Sequence, residues 1–195
     1  MCVFEVDLMF KGYERSLIFS LFSPNEMKSL QGKSKNSPRE QMSQKVIRVG
    51  MTATKRFKIT QDAVKHFGDL IGDHNPIHSD VNAAKAAGFP STICYGAFAG
   101  SLFSGLMATD LPGPNTVYVS QTLSYKAPIF VGEEIKVNVE LTGFRRDKHL
   151  MRMRTTVTKE GKDAREVVCV DGEAVGLNKF VTFEGESPEW RREKG

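Results

Sequence analysis

A chain of 195 residues with 40% hydrophobic content is long enough for one domain with a sizeable core, and no internal period of about 20 to 50 residues marks a repeat array. Its formal net charge of +4 is spread evenly and never strings Lys and Arg among stacking aromatics, which excludes a nucleic-acid footprint but leaves room for an anionic partner. Three scattered cysteines, Cys2, Cys94 and Cys169, fit neither a disulfide framework nor a zinc site and point to a reducing compartment.

Residues 1–45 form an N-terminal extension that turns rich in Ser, Lys, Asn and Gln, a composition of disorder or targeting. Lys11, Arg15 and several serines fit an import signal, against which Glu5, Asp7 and Glu14 weigh. A mitochondrial location is expected from this segment, with the cytosol or peroxisome as alternatives. The globular part is expected over 46–179, followed by a charged, loosely held tail over 180–195.

From Val46 the patterns become regular. VIRVGMTATKRFKI predicts one or two short strands. Thr60 offers an N-cap to a helix over 61–71, with Asp62 in its first turn, an apolar face of Val64, Phe67, Leu70 and Ile71, and Gly72 as its stop. His66 falls off that face and reads as a surface residue. A second, alanine-rich helix over 80–87 closes at Gly88, with Ser79 or Asp80 as its cap. Residues 96–110 are apolar on nearly every side, which predicts a helix buried all round. Its strongly apolar run, 96–109, is too short and too interrupted by Gly and Ser for the roughly 20 residues of a bilayer span, so a soluble protein is expected. Leu111-Pro112-Gly113-Pro114 ends it. Four strand patterns follow, most plainly Ile135, Val137, Val139 and Leu141 alternating with Lys136, Asn138, Glu140 and Thr142. Gly132, Gly143 with 145–148, and Gly161 to Asp163 are expected at the turns. One buried helix followed by antiparallel strands makes the fold class α+β.

The chemistry-bearing stretch is GDHNPIH, 72–78, between the first two helices. It holds a carboxylate, Asp73, and an imidazole, His78, on one short connection stiffened by Pro76, which is equipment for moving protons near neutral pH. Taken singly, Asp73 is a helix-end turn residue and His78 a hydrogen-bonded structural histidine; together they favour catalysis. Cys94 has no histidine and carboxylate arranged for it and reads as a small buried thiol.

FGDLIGDHNPIHSD, the glycine at Gly96, SLFSGL, LPGPNTVYVSQTLSYKAPIFVGEEI and VDGEA together resemble the MaoC-like (R)-specific enoyl-CoA hydratases, also called hydratase 2 enzymes. The resemblance runs from about Thr54 to Leu177. It implies the hotdog fold, a curved antiparallel sheet wrapped around a central helix, and a homodimer joined edge to edge. It implies that Asp73 and His78 hold the water added to or removed from an α,β-unsaturated acyl thioester carried by coenzyme A or acyl carrier protein. Neither a metal nor a redox cofactor is expected. The Gly96 N–H at the start of the buried helix would polarise the thioester carbonyl, and Asn75 would brace the loop or the water. Ser101 matches a family serine near the acyl pocket, with Leu102, Phe103 and Leu106 as candidate walls. Many relatives have His where this chain has Tyr95, which puts the packing of the site mouth and the substrate preference in question. Lys126, Arg145, Arg146 and Lys148 are candidates to meet phosphates or an acidic carrier, although solvated sheet-end charges explain them as well. A hotdog thioesterase and a non-catalytic acyl-binding subunit are the alternatives.

Overall fold

The structure, a computed structural model, describes residues 45–161 and 163–188. The expectations for 1–44, Cys2 and 189–195 lie outside the described residues. In chain order the elements are β1 (Lys45–Ile47), β2 (Thr52–Lys58), α1 (Gln61–Ile71), α2 (Val81–Ala86), α3 (Gly96–Thr109), β3 (Val117–Tyr125), β4 (Glu134–Arg145), β5 (Leu150–Glu160), β6 (Glu166–Leu177) and β7 (Val181–Phe183).

The main sheet is antiparallel with strand order β2-β4-β5-β6-β3, and α3 packs across it. Alternation drives this packing. Ile135, Val137, Val139 and Leu141 on β4 are all fully buried and turn one face of the sheet towards Ala99, Phe103, Leu106 and Met107 of α3. Burying a side chain such as Phe103 contributes about 1.5–3 kcal/mol. The opposite face carries cross-strand ion pairs, among them Arg154 with Asp171 at 3.6 Å and Arg56 with Glu134 at 2.9 Å.

Four expectations need correction. Gly143 is not a turn residue: it lies inside β4 where the register against β5 shifts between Leu141 and Gly143, a bulge that bends the strand. The segment after Phe180 is not loose throughout. Val181–Phe183 pairs in parallel with Lys45–Ile47, Phe183 stacks on Phe144 with ring centroids 4.6 Å apart, and Ser187 Oγ accepts from the Phe144 N–H at 2.7 Å. Arg146 helps hold this segment by donating to the Phe183 and Gly185 carbonyls.

The third and fourth corrections concern the helices. In α1, Val64 and Gly68 are buried, but Leu70 is 82% exposed and Ile71 49%. At about 100° per residue Leu70 falls well off the stripe through Val64. α3 is not buried all round either. Gly100, Phe103 and Met107 face the sheet, while Ala97, Ser101, Ser104, Gly105 and Ala108 are exposed.

Candidate active site

The loop between α1 and α2 is fixed by its own side chains. Thr60 Oγ1 accepts from the Ala63 N–H at 3.1 Å to start α1, and Gly72, in the left-handed region at φ 72°, ends it. Asp73 Oδ1 then accepts from the Asn75 N–H at 3.0 Å, and Asn75 Oδ1 from the Ile77 N–H at 3.3 Å. Pro76 opens a single 3-10 turn, Pro76–His78, whose fixed φ suits that position. Asp80, not Ser79, caps α2, accepting from the Asn82 N–H at 2.7 Å.

His78 is 8% exposed. Its Nδ1 lies 2.8 Å from the Ile93 carbonyl oxygen. A carbonyl only accepts, so Nδ1 carries the proton and, in the neutral ring, Nε2 keeps its lone pair as a base. The main chain on both sides is tied down: Gln61 Nε2 donates to the His78 carbonyl at 3.1 Å, and the Ile93 N–H donates to Ile77 at 3.2 Å.

Tyr95 joins this loop to the start of α3. Its hydroxyl donates to the Asp73 main-chain carbonyl at 2.6 Å, its ring lies 3.7 Å from the His78 ring, and the next residue is Gly96. Burial, then the carboxylates of Asp73 and Asp69, pushes the Tyr95 hydroxyl above its ordinary pKa, so it remains a donor. Tyr95 occupies the N-cap position of α3 without a side-chain cap bond, so it supplies no side-chain acceptor to the first N–H groups of that helix. Burial likewise pushes the Cys94 thiol up to about 12, which removes it as a nucleophile.

Asp73, Asn75, His78, Tyr95 and Gly96 are thus neighbours through Tyr95. A cleft of about 610 Å³ between α1 and the loop is walled by Gln61, Val64, Gly68, His74, His78 and Tyr95, but its wall includes neither Asp73 nor Gly96. Of the residues expected at the acyl chain, Leu102 is half-buried, Phe103 is sealed in the core, and Ser101 is exposed with its hydroxyl donating to the Phe98 carbonyl at 2.7 Å. Lys126 and Lys148 are exposed, and Arg145 pairs with Asp147 at 2.8 Å. Sequence reasoning missed Gly68. Its signal was a glycine inside a helical pattern, which costs about 1 kcal/mol against alanine and so calls for a packing reason.

The MaoC like domain model matches residues 43–163, more than half of the chain. The protein belongs to the MaoC-like family. Among curated relatives, this MaoC-like chain is 38% identical over 136 residues to the (R)-specific enoyl-CoA hydratase of Aeromonas caviae, covering 69% of this chain and 97% of the relative. It is 30% identical over 146 residues to the mitochondrial 3-hydroxyacyl-acyl-carrier-protein dehydratase of Arabidopsis thaliana, covering 75% and 86%. Among solved structures, the (R)-hydratase from A. caviae involved in PHA biosynthesis matches with a TM-score of 0.63 at 35% identity, covering 67% of this chain and 96% of its own. These neighbours make the α+β architecture a hotdog fold.

Proposed function

We propose that the protein is a hydro-lyase of fatty acid metabolism that interconverts trans-2-enoyl and (R)-3-hydroxyacyl thioesters carried by coenzyme A or acyl carrier protein. In hydration, His78 Nε2 takes a proton from the water held by Asp73 and His78 as the water oxygen bonds to C3, and that proton is returned from Nε2 to C2 on the same face, so H and OH add to the double bond and the base is restored. His78 Nε2 is the basic atom for this step, because Ile93 holds the proton on Nδ1. The charge that develops on the thioester oxygen is met by the Gly96 N–H at the start of α3, where the helix dipole favours it. The thioester itself acidifies C2, so the reaction requires neither metal nor redox cofactor.

The observation that carries this reading is the oriented His78 ring packed on Tyr95, whose hydroxyl holds Asp73 and whose successor is Gly96. The test is hydration of crotonyl-CoA, followed as loss of the enoyl absorbance. Asp73→Asn and His78→Ala should each lose at least about 10²-fold, the lower end for acid and base catalysis. Full activity in either variant refutes the assignment, and release of free coenzyme A, read with a thiol reagent, would make the protein a thioesterase.

The working unit in this proposal is a homodimer. The two edges of the sheet differ: β2 carries Lys55, Arg56 and Lys58, whereas β3, VYVSQTLSY, carries no charge at all and exposes Val117, Val119 and Tyr125. Charged edges resist pairing and uncharged ones invite it. A mitochondrial location is supported by the Arabidopsis relative; imaging the full chain beside a form lacking residues 1–45 tests it, and unchanged distribution counts against a signal there.

A further inference from the structure

Tyr95 does more than occupy the N-cap position of α3. Its hydroxyl reaches the Asp73 carbonyl at 2.6 Å while its ring stays 3.7 Å from His78 and 5.7 Å from Phe67. That reach depends on Gly68. A Cβ built there would lie 2.4 Å from the Tyr95 hydroxyl and 2.9 Å from the Asp73 main-chain oxygen, closer than atoms of a real side chain come. The glycine therefore sits inside α1 at a cost to the helix, and the space it leaves is taken by the tyrosine and the carbonyl it binds.

We propose that Tyr95 is a positioning residue, with Gly68 as its clearance: the hydroxyl fixes the main chain of Asp73 and the ring fixes the plane of His78, so one side chain sets the spacing of the proton-handling pair. Its catalytic consequence rests on the hydratase reading; its structural consequence does not. The loop beyond Asp73 is also held by the Asp73 and Asn75 side chains on their own neighbours, and its His78 end by Gln61 and by the Ile93 main chain. None of these bonds ties its Asp73 end to the start of α3. Tyr95 supplies that tie.

Tyr95→Phe removes the hydroxyl and keeps both ring contacts. Crotonyl-CoA hydration should show kcat lowered about tenfold, within the reach of one hydrogen bond, with KM within about twofold and Tm changed by no more than a few degrees. Amide hydrogen exchange at Asn75 and Ile77 should quicken about tenfold, whether or not crotonyl-CoA is turned over. Gly68→Ala, which places a methyl against the hydroxyl, should lower kcat in the native background by a larger factor than it does beside Tyr95→Phe. If wild type hydrates crotonyl-CoA and Tyr95→Phe matches it in both kcat and exchange, the positioning role is wrong and the hydratase reading stands. If wild type does not hydrate but exchange quickens in Tyr95→Phe, the hydratase reading fails and the positioning role holds.

Discussion

Gly96→Ala tests the oxyanion assignment with the least disturbance elsewhere. The added Cβ would lie 2.8 Å from Tyr125 Cε1 and 3.1 Å from Cδ1 and Cζ. Carbon atoms in contact settle at about 3.5–4.0 Å, so the ring must retreat by roughly 0.7–1.2 Å. Tyr125 is 56% exposed at the end of an edge strand and can swing outward. Net stability should therefore change by about 1 kcal/mol or less, a Tm shift of about 2–4 °C. Activity should respond far more, because the methyl and the displaced ring crowd the Gly96 N–H. Loss of such a donor costs about 10²–10³-fold. The assay is kcat/KM for crotonyl-CoA hydration beside a thermal melt. Adding Tyr125→Ala gives the methyl room: recovery assigns the loss to the ring, and no recovery assigns it to the methyl beside the N–H. Wild-type kcat/KM within about twofold in Gly96→Ala at unchanged Tm would remove Gly96 from the mechanism.

Gly172→Ala should damage stability instead. Its Cβ would lie 2.1 Å from the Thr122 main-chain oxygen across the β3–β6 ladder, and backbone cannot swing aside, so the upper end of the overpacking range of about 1–3 kcal/mol applies; an unchanged Tm refutes it. Val119→Lys puts a charge on the uncharged edge, and sedimentation should move from twice the 21.7 kDa chain mass to one chain, with activity falling alongside; an unaltered dimer rules out β3 as the joining edge. Alkaline pH should destabilise the fold. The Cys94 thiol rises from 9.0 to about 12 through burial, so the unfolded chain releases its proton first, and the stability present below about pH 9 drains away towards pH 12. Tyr118, also pushed by burial to about 12, adds to the loss above pH 10. Cys94→Ala should flatten the decline of Tm over that range, and an identical decline contradicts this account.

The strands and caps were legible because their signals are local and strong. Ile135 to Leu141 alternate without exception and are all fully buried, and Thr60 and Gly72 cap α1 as their chemistry dictates. Gly143 misled because a glycine marks a bulge and a turn in the same way. Val181 and Phe183 are too few to show a period, so their docking on β1 through Arg146 and Phe144 had no sequence signature. At the candidate site, Asp73 and His78 stood out as a proton-handling pair on one loop. The bond from Tyr95 to Asp73 spans 22 residues and ends on a main-chain oxygen, which no spacing rule can foresee.

The error over α3 has a different origin. Its composition is apolar on nearly every side, yet one chain leaves Ala97, Ser101, Ser104 and Ala108 in solvent. At about 100° per residue, Gly96 and Gly100 point one way and these four follow next around the same side of the helix. A Cβ on Gly96 would meet Tyr125, and one on Gly100 would meet Leu123, both on β3. The exposed small-residue face therefore begins where the helix leaves β3, the uncharged outer strand of the sheet. A second copy added at that edge would extend the sheet and approach this face together, and small side chains are what a close helix contact needs. The proposed pairing would bury this small-residue face, and it bears on the site because Gly96 packs against Tyr125 at the end of β3.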